Sequence, residues 1–289
     1  MNDVLFLKVM ELHVKITAPK PIISGLWENH LLLSSVIPLL EISDSSDNSC
    51  YEINILQGRF YNVIKKKSSL QYNVPKGDFN FSSFAYTILT PVFSALLLRR
   101  NLLFLHGAVV DYKGEGIVIW GNGKTSTALS LCNSDPGFAF VAEDNFVLDI
   151  KSNEIMSGSR LVHNKNPSIN PDLSKRIELN RFNFKTKKGT TLKLLIYPQN
   201  FFDAEDIIDA ESFEKSSIIC SFINERLYNL SRWHQELQQQ PPNILVINDL
   251  SKKNEIITKL LTELRVIKVQ AAIKNIPSRI VEYLKYKGI

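Results

Sequence analysis

The sequence predicts an α/β fold, with a small β-rich N-terminal portion over residues 1–80 and a larger α/β domain over residues 81–289. Three observations carry this. The apolar run Ile117-Val118-Ile119-Trp120 reads as a buried strand and passes directly into the turn Gly121-Asn122-Gly123-Lys124-Thr125. A helical stretch follows from Ser126 to Cys132, and a second strand-like run, Phe138 to Ala142, ends in the adjacent carboxylates Glu143-Asp144. Strand, glycine turn, helix and strand in that order bring a cation, a hydroxyl and two acids around one phosphate-sized space.

The first eighty residues read as short extended runs. Val4–Ile16, Leu31–Val36, Tyr51–Leu56 and Phe60–Lys65 have strand-like content, separated by loop chemistry at residues 44–49 and 75–78. Phe81–Arg100 reads as a helix, with Ser82 or Ser83 as its cap, Ala85, Leu89, Val92, Phe93, Leu96 and Leu97 as its apolar face, and Pro91 as the place for a kink. Beyond Ile150 the chain turns polar. Leu192–Tyr197 then reads as a strand, 206–233 as helical in part, 238–242 as a break, and 243–248 as a buried strand. Ser251–Leu264 has a helix start at Ser251 and apolar spacing at Ile256, Ile257, Leu260, Leu261 and Leu264, with a strand at 266–269 and a helix at 278–286 after it.

Composition bounds the function class. With 289 residues, 44% hydrophobic and 22% charged, the chain can bury a substantial core. The net charge of +5 is spread along the chain, and the clusters Lys65-Lys66-Lys67 and Lys185-Thr186-Lys187-Lys188 lack interleaved aromatics, so they read as solvated loops and no nucleic-acid partner is expected. Cys50, Cys132 and Cys220 are few and far apart, which argues against a disulfide framework or a zinc clip, and Cys132 falls on the apolar side of its helix. Residues 1–12 carry Asp3 and Glu11 and do not read as a signal peptide, and Arg99-Arg100 interrupts the longest apolar run, so no membrane association and a cytoplasmic location are expected.

The turn has a chemical logic. The first N–H groups of a helix lack partners and its dipole is positive there, so Gly121, Asn122, Gly123, Lys124, Thr125 and Ser126 could wrap an anion. Lys124 would neutralise phosphate, Thr125 with Glu143 or Asp144 would hold Mg2+, and Asp144 could instead take a proton. The general phosphate loop has a glycine where this chain has Val118, and only Gly121 and Asn122 separate Trp120 from Gly123. Gly-Lys-Thr recurs by chance in many chains, so the flanking pattern carries the reading.

That pattern resembles the catalytic domain of the HPr kinase/phosphorylase family. The matching residues are Leu105-His106-Gly107-Ala108-Val109-Val110-Asp111, Gly114, Gly116, Gly121 with Gly123-Lys124-Thr125, Thr127-Ala128-Leu129, and Val141-Ala142-Glu143-Asp144. The departures are the shorter loop and Glu143, which stands where the family has Asp. Gly121–Thr127 also looks like the compact ATP loop of the Mur ligase and folylpolyglutamate synthase family, although no second ligase motif accompanies it. A histidine after Leu105 would ordinarily be a strand-end packing residue; the resemblance implies instead that His106 lines the site. It implies further an HPr kinase-like P-loop domain, ATP and Mg2+ as cofactors, a homo-oligomer, and Arg160 with Lys165-Asn166 as clamps on the substrate or transferred phosphoryl group. The expected activity is ATP-dependent transfer of the γ-phosphoryl group to a hydroxyl of a peptide, protein or small molecule, with His106, Lys124 and Asp144 catalytic. The alternative is a catalytically impaired nucleotide-binding module that recruits a partner.

Overall fold

A computed structural model describes residues 2–43, 51–66, 68–159, 161–163, 176–178, 185–200, 205–227 and 247–288. The chain is mixed α/β and forms two units: Met1–Arg100 with Asn224–Leu250, and Asn101–Ile223 with Ser251–Ile289.

The first unit is built on a mixed six-stranded sheet. Strands β1 (Asn2–Val9) and β2 (Leu12–Pro19) form a hairpin, followed by helices α1 (Lys20–Glu28) and α2 (His30–Val36) and strands β3 (Leu40–Ser43), β4 (Tyr51–Gly58), β5 (Asn62–Lys65) and β6 (Ser69–Pro75). Their order is β3-β1-β2-β4-β6-β5, parallel for β2 with β4 and for β4 with β6. Strict alternation buries Leu5, Leu7 and Val9 on β1, Val14, Ile16 and Ala18 on β2, and Tyr51, Ile53 and Ile55 on β4. The expected strand at Leu31–Val36 is a helix, and a further helix, α1, precedes it. A short apolar run is ambiguous between the two states, but Ile22, Ile23 and Leu26 with Leu32, Leu33 and Val36 repeat at helical spacing, and these are the buried side chains.

The helix expected from residue 81 forms and runs to Leu98, as α3 (Phe81–Phe84), a π-helical turn at Ala85–Leu89, and α4 (Thr90–Leu98). Its cap is Asn80, not Ser82 or Ser83: Asn80 Oδ1 accepts from the Ser83 N–H at 2.8 Å. Pro91 lacks an N–H and crowds the preceding turn, and the wide π turn lies immediately upstream, with the Thr90 hydroxyl donating to the Ala85 carbonyl at 3.0 Å. Phe81–Leu98 is long and apolar enough to cross a membrane, contrary to the expectation from Arg99-Arg100, but 89% of it is buried inside the protein.

The second unit contains an eight-stranded mixed sheet. In chain order it comprises β7 (Leu102–His106), β8 (Ala108–Tyr112), β9 (Glu115–Ile119), α5 (Lys124–Ser134), β10 (Phe138–Asp149), β11 (Glu154–Ser159), a small ribbon of β12 (Leu161–His163) and β13 (Arg176–Glu178), β14 (Thr190–Asn200), β15 (Asp206–Asp209), α6 (Ser212–Leu227), α7 (Ile247–Glu263), β16 (Arg265–Ala271) and α8 (Ile276–Lys287). Helices α6 and α7 each cross the division between the units. The sheet order is β11-β10-β8-β9-β14-β16-β15, with β7 also on β10 and β9, β14 and β16 mutually parallel. Ile117, Ile119, Leu194, Ile196 and Val269 form one core with Ala128, Leu131 and Cys132 of α5 and Ile276, Ile280 and Leu284 of α8. Each of the Ile, Leu and Val side chains contributes about 1.5–3 kcal/mol by leaving water. Burial pushes the Cys132 thiol up to about 12, as a packing residue requires.

Three expectations change here. Helix α7 starts at Ile247, before Ser251, so the end of the expected 243–248 strand is helical; residues 243–246, 228–234 and 238–242 lie outside the described residues. Residues 206–209 form a strand, and the helix of this region begins at Ser212. The Lys185–Lys188 cluster is not wholly solvated, since Lys187 Nζ lies 2.8 Å from Asp111, a buried carboxylate that also accepts from Thr190 at 2.5 Å and from the Gly114 N–H at 3.0 Å.

Gly158 on β11 lies opposite Phe146 of β10, and a Cβ there would fall 2.1 Å from Ala142 Cβ and 2.8 Å from the Asn145 carbonyl oxygen. Gly158→Ala is therefore expected to destabilise the protein by about 1–3 kcal/mol, read as a lower urea midpoint at constant slope; an unchanged midpoint contradicts this packing.

Candidate functional site

Two local features of the second unit bring the acidic pair to the glycine turn. The first is an irregularity in β10. Phe138–Ala142 pairs with β8, and Asn145–Asp149 pairs with β7, so the strand changes partner between them; its register shifts there against β11, and just before, between Phe140 and Ala142, against β8. Asp144 sits at this junction in the left-handed region at φ 65. Strain of that kind costs about 1–3 kcal/mol and persists where the surroundings over-determine it. The two acids therefore lie inside a strand that continues to Asp149, correcting the expectation that they end one.

The second feature is Gly107, between β7 and β8. Its N–H donates to the Asp144 carbonyl at 3.0 Å, and a Cβ would fall 3.0 Å from Val118 Cγ1 and 3.1 Å from the Ile119 carbonyl oxygen, so glycine permits the close approach. His106, the last residue of β7, is registered against Asn145 and so stands beside Asp144.

Across from them, β9 is followed by Trp120, whose N–H donates to the Ile196 carbonyl at 2.9 Å. Gly121 and Gly123 take φ values of 111 and 77, conformations that favour glycine, and Gly123 is the N-cap of α5. No side chain caps that helix and no acidic residue lies in its first turn, which leaves its positive end unopposed from within the helix. Asn122 and Ser126 are exposed, and Ala128 packs in the core.

The side chains converge tightly. Lys124 Nζ is 2.9 Å from Asp144 Oδ1 and 3.9 Å from Glu143 Oε1. His106 Nε2 reaches the same Asp144 Oδ1 at 2.8 Å. The Thr125 hydroxyl donates to Glu143 Oε1. A carboxylate oxygen only accepts, so Nε2 carries the hydrogen when Asp144 is ionised. Glu143 is nearly inaccessible at 4% side-chain exposure, whereas Asp144 keeps 23%. Burial first, and then the neighbouring Asp144 charge, hold the Glu143 carboxyl above the usual range, while Lys124, the Thr125 hydrogen bond and His106 pull it down. Arg160 and Lys165 lie outside the described residues.

Chemically the cluster offers a cation, a hydroxyl, an acid in the interior and a more accessible acid. Among the described residues no group of three or more His, Cys, Asp or Glu is placed to hold a metal ion. The Thr125 hydroxyl and the carboxylates of Glu143 and Asp144 are nevertheless hard oxygen donors. They fit a Mg2+ ion that completes its shell with phosphate and water rather than one enclosed by protein.

One neighbour was not legible before the fold was known. Tyr197 of β14 packs its ring against Gly121, where a Cβ would fall 3.0 Å from Cε2 and 3.2 Å from Cδ2. Its period-two position on a strand carries no such signal, because the contact depends on β14 lying next to β9.

No family model matches this chain, and no curated protein matches it. Among solved structures it is similar to the Hpr(Ser) kinase/phosphatase from Coxiella burnetii, at 10% identity and a TM-score of 0.32, over 64% of this chain and 93% of that one. That likeness is too weak to assign a role to any residue.

An acid whose folded-state pKa lies above its unfolded value contributes stability in full below the unfolded value and loses it as pH rises through the folded one. Glu143→Gln, which mimics the protonated form, should therefore unfold at a higher temperature than the native protein at about pH 8, with the difference shrinking toward about pH 4. Thermal scans that stay parallel across that range contradict a costly buried charge at Glu143.

Proposed function

We propose that the protein is an ATP-dependent kinase that moves the γ-phosphoryl group to a hydroxyl on a peptide, a protein or a small molecule. The observation that carries this reading is the convergence of Lys124, Thr125, Glu143, Asp144 and His106 at the uncapped N-terminus of α5. The chain's resemblance to the HPr kinase/phosphorylase motifs supports it, and the reading rests on no likeness of overall structure.

The two acids take different roles, and their surroundings support the division. Glu143 is interior and holds the Thr125 hydroxyl, so these two would face the metal ion. Mg2+, when bound, supplies charge neutralisation between the phosphates. Asp144 is more accessible and is oriented by His106, so it would accept the proton of the acceptor hydroxyl as that oxygen bonds to Pγ and ADP leaves. Lys124 would exchange Asp144 for phosphate, and that exchange releases the base at the moment the nucleotide arrives. The rate advantage would come from alignment and preorganised charge.

A second reading has one observation in its favour. The loop is short, with Val118 where the general pattern has glycine, and a protein of this kind could hold nucleotide and recruit a partner without turnover. Purified protein incubated with Mg-ATP and a panel of hydroxyl-bearing peptides, alongside calorimetry with ATP and ADP, separates the two. Binding with transfer supports the kinase, binding without transfer supports the module, and no binding overturns both.

Two variants sharpen the test. Asp144→Asn keeps a residue type that tolerates the left-handed backbone, so folding and ATP binding should persist while transfer falls by at least about 100-fold. Lys124→Ala should weaken ATP binding itself. Transfer at the native rate in the Asp144→Asn protein removes Asp144 as the base.

A further inference from the structure

The abbreviated loop needs something to hold its shape. Strands β9 and β14 run parallel with Ile119 opposite Ile196, and the Trp120 N–H donates to the Ile196 carbonyl at 2.9 Å, so Tyr197 continues β14 beside Trp120 and its ring reaches Gly121 at the start of the turn. Gly121 adopts φ 111, and a Cβ there would sit 3.0 Å from Cε2 of that ring, tight enough that the ring would have to give by a few tenths of an ångström. At the other end of the turn a Cβ on Gly123 would meet nothing within 4 Å, so Gly121 is the packed end.

The ring is itself held. Trp120 lies against Tyr197 with centroids 5.3 Å apart and planes 31° apart, and meets Phe222 of α6 edge-on at 5.8 Å. Tyr197 is only half-buried, and its ring carbons Cε2 and Cδ2 are the atoms that meet Gly121.

We propose that Tyr197 is a positioning residue for the short phosphate loop: its ring, backed by Trp120, fixes Gly121 and so sets where the N–H groups leading into α5 meet the β-phosphate of a nucleotide. This rests on the phosphate-binding reading above. Only Gly121 and Asn122 lead into Gly123, so a packed ring takes over the role that extra loop residues play in longer versions. Tyr197 would act through the loop backbone and would not touch the reacting atoms.

The test compares calorimetric affinities for ADP and AMP in the native protein and in Tyr197→Leu, Trp120→Leu and Tyr197→Phe, each with its unfolding temperature. The preference for ADP over AMP measures the contribution of the β-phosphate, and a residue that only stabilises the fold leaves that ratio unchanged in the folded protein. Tyr197→Leu should lose about tenfold of the preference with AMP affinity retained, Trp120→Leu should lose part of it, and Tyr197→Phe should restore it. If Tyr197→Leu does not fold, the Trp120→Leu ratio decides the matter. A native ratio in either leucine variant overturns the proposal. If the native protein binds neither nucleotide, the phosphate-binding reading itself has failed and this inference falls with it.

Discussion

One carboxylate oxygen organises the second unit's site. Asp144 Oδ1 meets Lys124 Nζ at 2.9 Å and His106 Nε2 at 2.8 Å, so a single atom ties together the end of β7, the start of α5 and the middle of β10. For that to happen the backbone must turn aside at Asp144, and it does so in a left-handed conformation held by the Gly107 N–H. The His-Gly pair and the acidic pair, distant in sequence, are two halves of one constraint. The histidine is brought alongside by strand register, and the glycine allows the strands to approach closely enough for the carbonyl of Asp144 to be satisfied.

The site is assembled at a cost to stability. Glu143 is buried almost completely beside another acid, Asp144 occupies a strained backbone region, and the N-terminus of α5 has no side-chain cap. Each of these would be selected against in a purely structural element. The surrounding sheet can carry the burden because its neighbours are heavily buried: Val118 and Ile119 on β9, Ala142 and Phe146 on β10, and Leu195 and Ile196 on β14 are all at or near complete burial.

The short turn places unusual weight on side-chain packing. The chain moves from Trp120 to α5 through only Gly121, Asn122 and Gly123, and the first of these packs against the Tyr197 ring. The aromatic cluster of Trp120, Tyr197, Phe222 and Phe146 lies on the sheet face opposite the α5 and α8 core, so the turn is supported from both sides of the sheet.

Local sequence determined much of this protein. The strand near 117–120, the glycine turn, the helix through 126–132 and the strands through 51–56 and 192–197 follow from hydrophobic period and from the conformational freedom of glycine, which are properties of neighbouring residues, although β4, α5 and β14 extend beyond those bounds. The types of side chain at the candidate site were legible for the same reason, because a cation and a hydroxyl at a helix start announce their chemistry. The helical state of Leu31–Val36, the continuation of β10 through Glu143 and Asp144, the different burial of those two acids and the contact of Tyr197 with Gly121 were decided only by tertiary structure. Each depends on which strand or helix lies alongside, and such adjacency is set by the burial of whole faces rather than by any short run of residues.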